Sequence, residues 1–119
     1  MIAGDMRELG PQAQRKHLET GERIAAMRID LLIGVGRLGR YIARGASQMR
    51  MATAEIDLSS IESAAGDIAD MMSEGDVVLI KASRGLQLER LIEPLRKAFV
   101  RNTTRLDTVS YTHLTLPTN

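Results

Sequence analysis

Ile29-Asp30-Leu31-Leu32-Ile33-Gly34-Val35 runs directly into Gly36-Arg37-Leu38-Gly39-Arg40-Tyr41-Ile42-Ala43-Arg44-Gly45-Ala46. The first run is apolar on both faces, as a strand buried in a parallel sheet must be. The second spaces its apolar residues for a short helix that ends, on this reading, at Gly45. A strand that turns straight into a helix is the βα unit of α/β proteins, so further copies are expected on either side.

They are found. Ile2-Ala3 reads as the last part of a first strand, cut off by the start of the sequence, with Gly4–Gly10 as its loop. A helix is expected from Pro11, a favoured first-turn residue, to about Met27, with Leu18, Gly21 and Ala25 on one side. Gly21 costs that helix about 1 kcal/mol relative to alanine and marks close packing. Met51–Ile56 is a weaker third strand. Ser59-x-x-Glu62 has the form of a capping box, followed by Ile61, Ala64, Ala65, Ile68 and Met72 at helical spacing. Met71 and Met72 read as core filler. Val77–Ile80 is a buried strand, Lys81–Gly85 its loop, and a last helix carries Leu88, Leu91, Ile92, Leu95 and Phe99. Pro94 inside it predicts a kink or tightened turn near Arg90. The alternation defines an α/β fold: a Rossmann-like, mostly parallel sheet with helices on both faces, truncated at its first strand. Residues 1–100 are expected to form the domain and 101–119 a disordered or non-native tail. Val109–Asn119 resembles translated adapter sequence, which sets Tyr111 and His113 aside.

Composition excludes several classes of function. Sixteen Lys+Arg balance 15 Asp+Glu in 119 residues, a net charge of +1, with two Tyr, one Phe and no Trp. Binding driven by phosphate neutralisation or base stacking is not expected, so nucleic acid is not a partner. The absence of Cys removes thiol nucleophiles and Cys-based metal sites, and two distant His leave little for a His-based one. No apolar run is long enough to span a membrane and no signal peptide opens the sequence, so a cytoplasmic location without membrane insertion is expected.

In parallel α/β sheets the loops after the strands share one edge, which here gathers Gly4–Gly10, Gly34–Arg37, Ile56–Ser59 and Lys81–Gly85. Gly34-Val35-Gly36-Arg37-Leu38-Gly39 is a G-x-G-x-x-G, with Glu55 or Asp57 placed as a ribose-binding acid would be. It supports one alternative, a small dinucleotide-binding regulatory module. Glycines at a tight strand-to-helix turn explain the same letters without a ligand. Gly39-Arg40-Tyr41 lacks the Lys and hydroxyl of a P-loop. Lys81-Ala82-Ser83-Arg84 brings two cations and a hydroxyl to a helix start and suits a carboxylate or phosphate, or else holds solvated cations paired with Glu89 or Asp5. Asp5 is a candidate partner for an amine or guanidinium, and Glu8 for capping the next helix. His17 reads as a packed, hydrogen-bonded structural residue. A plain interaction domain using an exposed sheet edge is the remaining class.

Gly4-Asp5-Met6-Arg7-Glu8-Leu9-Gly10, His17, Gly21, Val35-Gly36 and Gly75–Arg84 with Glu89, in this order, resemble the C-terminal domain of the Mur ligases over about residues 2–100. The family pattern pairs Gly-Asp-Met-x-Glu-Leu-Gly with Lys-Gly-Ser-Arg, and Ala82 stands here in place of the second glycine. The resemblance implies an ATP-dependent, Mg²⁺-assisted ligase of peptidoglycan precursor synthesis that joins D-Ala-D-Ala to a UDP-N-acetylmuramoyl-tripeptide through an acyl phosphate. Asp5, Lys81, Ser83 and Arg84 then occupy the loop positions that help bind the amino substrate. ATP and Mg²⁺ would be bound mainly by a central domain. That domain, the UDP-sugar domain and an Asn-Pro segment are missing from the sequence, so the isolated chain is expected to be inactive.

Overall fold

The computed structural model describes residues 1–7, 10–82 and 88–105. Four short strands, β1 (Ile2–Ala3), β2 (Leu32–Val35), β3 (Thr53–Ile56) and β4 (Ile80–Lys81), alternate with four helices. These are α1 (Ala13–Ala25), α2 (Gly36–Gln48), α3 (Ile61–Asp70) and α4 (Ile92–Arg105). The sheet order is β3-β2-β1-β4 and every neighbouring pair is parallel. Ile2 pairs with Ile33 on one side and with Ile80 on the other. The chain therefore winds outward through β2 and β3, then returns to lay β4 beside β1. The winding reverses between β1 and β4, and the crevice at the carboxyl ends of such strands is where open α/β sheets take ligands.

The period-two alternation of the strands builds two core layers. Ile2, Ile33 and Val35 pack on Ala65 and Ile68 of α3 and on Leu95 of α4. Ala3 and Leu32 face the other way, against Ile24 of α1 and Ile42 and Ala46 of α2. Helices thus cover both faces, as the sequence pattern predicts. Met71 and Met72 are partly buried against the first layer, in agreement with their reading as filler.

Glycine sets the spacing of α1 and α2. A Cβ on Gly21 would lie 1.9 Å from the Ile42 carbonyl oxygen, and one on Gly45 would lie 2.0 Å from that of Leu18. The expected end of the helix at Gly45 is therefore corrected. α2 continues to Gln48, and Gly45 is where it touches α1. The real end is marked by Arg50, the sole non-glycine residue with positive φ (63°) among the described residues, whose N–H donates to Ser47 O at 3.0 Å. Because this conformation penalises a Cβ, Arg50→Gly should raise stability by about 0.5–1 kcal/mol in urea unfolding.

Other boundaries shift for local reasons. The cap of α3 is Ser60 rather than Ser59: its hydroxyl accepts from Ser63 N at 3.2 Å, while Ser59 N donates to Asp57. Of the strand expected over Val77–Ile80, regular pairing covers Ile80–Lys81, with Leu79 O accepting from Ile2 N at 2.8 Å, while Val77 forms an isolated bridge and is 72% exposed. Its neighbour β1 offers just Ile2 and Ala3 for pairing. Pro94 sits in the first turn of α4, where a missing N–H costs nothing, and the tightened turn is a 3-10 helix over Leu88–Leu91. α4 runs on to Arg105, past residue 100; residues 106–119, including the suspected tail, lie outside the described residues. Among the described residues no helix is long and apolar enough to cross a membrane.

Candidate functional site at the β1 and β4 strand ends

The parallel pairing brings the two loops singled out in the sequence to one point. Ala3 is the register partner of Lys81, and Gly4 N donates to Lys81 O at 2.9 Å. Asp5 follows at once. Its Oδ1 accepts from both Leu38 N and Gly39 N, each at 2.8 Å. The helix those amides open, α2, has Val35 at its cap position and so no local side chain to satisfy them. Asp5 supplies that cap from another strand and places a negative charge at the positive end of the helix dipole.

The glycine motif is explained by the same contact. Gly36 has φ +87°, and a Cβ there would lie 3.1 Å from Asp5 Oδ1. A Cβ on Gly39 would lie 2.9 Å from Ala3 O, and one on Gly34 would lie 2.3 Å from Gly39 O. Close approach of α2 to the sheet thus accounts for these glycines. In a dinucleotide site the amides at this helix start would hold a pyrophosphate; here the Asp5 carboxylate fills them. Glu55, one candidate for the ribose, is paired with Arg44 at 3.2 Å.

His17 is fully buried on α1. Its Nε2 accepts from Met6 N at 2.9 Å and its Nδ1 faces Ala13 O. Both bonds form together only with a neutral ring protonated at Nδ1. The histidine is structural, as the sequence reading holds, and fixes the loop that carries Asp5.

Lys81 is exposed and makes no ion pair among the described residues, so neither Asp5 nor Glu89 neutralises it. Ser83, Arg84 and Glu8 lie outside the described residues. A cleft of about 460 Å³ runs between α1 and the β1–β4 pair, lined by Gly4, Met6, Arg7, Ile24, Lys81 and Ala82 among others. Its volume is in the range of small-molecule sites. The sequence reading passed over Arg7. The available signal was a cation two residues from Asp5, in a loop already assigned to the ligand edge. An apolar floor with Arg7 and Lys81 on its wall suits a small molecule that carries a carboxylate. No group of three His, Asp or Glu among the described residues is placed to hold a metal ion.

The cap and any ligand role of Asp5 separate by substitution. Asp5→Asn keeps an oxygen for the two amides and should cost under about 1 kcal/mol, whereas Asp5→Ala should cost about 2 kcal/mol. Urea midpoints of the two variants decide it. Equal losses would show that Oδ1 is not the anchoring group.

A Rossmann-like α/β domain with a parallel sheet between helices is what the Mur ligase resemblance implies for the fold. Comparison with known proteins agrees: over 95 residues the chain is 33% identical to the UDP-N-acetylmuramoyl-tripeptide--D-alanyl-D-alanine ligase of Bacillus subtilis (strain 168). The match takes in 80% of this chain and 21% of that ligase, so the chain spans about one fifth of its relative's length. The resemblance to the Mur ligases is thereby shown, and it is a resemblance to part of one. No family model and no solved structure matches the chain.

Proposed function

We propose that this chain is the C-terminal, amino-substrate-binding portion of an ATP-dependent ligase that adds D-Ala-D-Ala to a UDP-N-acetylmuramoyl-tripeptide in peptidoglycan precursor synthesis. The observation that carries this reading is the convergence of the Gly4–Arg7 loop and Lys81 on adjacent strand ends, in a chain one third identical to such a ligase. Lys81, with Ser83 and Arg84 from the same loop, would take the dipeptide carboxylate. Asp5 caps α2 through Oδ1 and does not line the Lys81 cleft; its Oδ2, which accepts no bond among the described residues, would take the amine of a dipeptide that reaches past the cleft. Domain closure would bring both groups against the rest of the enzyme and exclude water from the activated acyl group.

The residues present do not make a nucleotide site of their own. The α2 amides are filled by Asp5, and the Gly34–Tyr41 turn lacks the P-loop lysine and hydroxyl. ATP and Mg²⁺ would accordingly be held by the part of the ligase beyond this match, in the cytoplasm, with the domain here running to the end of α4 at Arg105. Alone, the chain should show weak or no D-Ala-D-Ala binding by isothermal titration and no ligation with ATP. Joined to the other domains of such a ligase it should restore turnover, and Lys81→Ala should raise the KM for the dipeptide at least tenfold. Ligation by the isolated chain would overturn the proposal.

A further inference from the structure

Charge on this chain is balanced in total, and between residues 36 and 80 it is segregated along the sequence. Residues 36–50 carry Arg37, Arg40, Arg44 and Arg50 and no carboxylate, whereas residues 51–80 include Glu55, Asp57, Glu62, Asp67, Asp70 and Asp76 and no lysine or arginine. The fold turns this order into two faces. Arg37, Arg40 and Arg44 recur at intervals of three and four and so form one exposed stripe along α2. Glu62, Asp67 and Asp70 lie on the exposed side of α3. The two helices pack on opposite faces of the sheet, α2 with Ile42 and Ala46 in one core layer and α3 with Ala65 and Ile68 in the other. One molecule cannot bring them together.

The basic stripe is built at a cost. Like charges three and four residues apart on a helix repel, and Arg37 and Arg40 stand at the positive end of the α2 dipole, where cations are disfavoured. Tyr41 holds part of the stripe in place, with Arg40 and Arg44 at 5.1 and 5.2 Å from its ring centre. Arg44 already binds a carboxylate, Glu55, through two nitrogens at 3.2 and 3.5 Å. Arg37 and Arg40 have no such partner among the described residues.

We propose that the α2 stripe docks the α3 face of a second copy of this chain. The contact is head to tail: each copy offers a basic face to one neighbour and an acidic face to another, which propagates into a closed ring or an open chain of copies. Exposed pairs of this kind act over about a Debye length, near 10 Å at 0.1 M salt, so the association is salt-sensitive.

Sedimentation velocity on the full 119-residue chain tests this. At about 20 mM salt the weight-average sedimentation coefficient should rise with concentration, and the association should weaken at least about tenfold at 500 mM. Two charge-reversed variants, Arg37→Glu with Arg40→Glu and Glu62→Lys with Asp67→Lys, should each remain monomeric. Circular dichroism would confirm that both are folded. Mixed together they should associate with each other, because the unaltered α3 face of the first still matches the unaltered α2 stripe of the second, and the two reversed patches match each other. A parent chain that is monomeric at low salt, association that survives either reversal or high salt, or folded variants that fail to pair when mixed would each overturn the proposal.

Discussion

Gly21→Ala should destabilise the domain by about 3 kcal/mol, with a fall of more than about 1 M in the urea midpoint. Two effects compete. Alanine is the better helix former by about 1 kcal/mol, which taken alone predicts a gain. Against it, the new methyl would stand 1.9 Å from the Ile42 carbonyl oxygen and 2.8 Å from Ala46 N. Both are main-chain atoms of α2, so no rotamer change relieves the overlap and the helices must move apart. That movement also disturbs the second contact, where Gly45 meets Leu18 O. Overpacking of this kind usually costs 1–3 kcal/mol and more where backbone is hit. Gly66 is the control. It lies in α3 with nothing within 4 Å of its would-be Cβ, so Gly66→Ala should stabilise by up to about 1 kcal/mol. If both substitutions stabilise, α1 and α2 do not meet as described.

His17→Ala should cost about 3–4 kcal/mol. Removal of a fully buried ring leaves a cavity, and the Met6 N–H loses its acceptor in the interior. Amide hydrogen exchange gives the sharper readout. Exchange at Met6 should rise further than at Leu38 and Gly39, whose amides are held by Asp5 rather than by the imidazole. His17→Gln can still offer an oxygen toward Met6 and should recover part of the protection. Uniform loss of protection at all three amides would mean that the ring acts through packing alone.

The layered α/β plan is legible in the sequence because it rests on short-range periodicity. The doubly apolar run Leu31–Val35, the helical spacing of Ile61 to Met72 and the Leu88–Phe99 pattern each report a local environment. Gly21 is legible for a similar reason, since a glycine inside a good helix needs an explanation and close packing is the commonest. What the sequence conceals depends on residues far apart. Gly45 looks like a helix end until Leu18 is seen against it. Val77 looks like strand interior, yet its place in the sheet depends on how many residues β1 offers. Ser59 and Ser60 compete for one cap, and a one-residue difference is beyond pattern reasoning. The motif around Asp5 singles it out in the sequence, but not the helix cap that it forms in the structure. Its bonds to amides 33 and 34 positions away leave no local trace. The same long reach makes the G-x-G-x-x-G ambiguous in sequence, because the anion at that helix start can come from a ligand or from the chain itself.

The central position of β1 also orders events in time. Its two residues pair with β2 early in the sequence and with β4 only at Ile80, while the helix that supplies Leu95 and Phe99 comes later still. During synthesis the β1–α1–β2–α2–β3 half can assemble first, with one core layer closed by Ile24 and Ile42. The opposite face, with Ile2, Ile33 and Val35, stays bare until α3 and α4 arrive, and the outer edge of β1 stays unpaired. Chains stalled or cleaved before Ile80 would therefore present both the open outer edge of β1 and an incompletely covered sheet face, the two features that favour aggregation of incomplete chains.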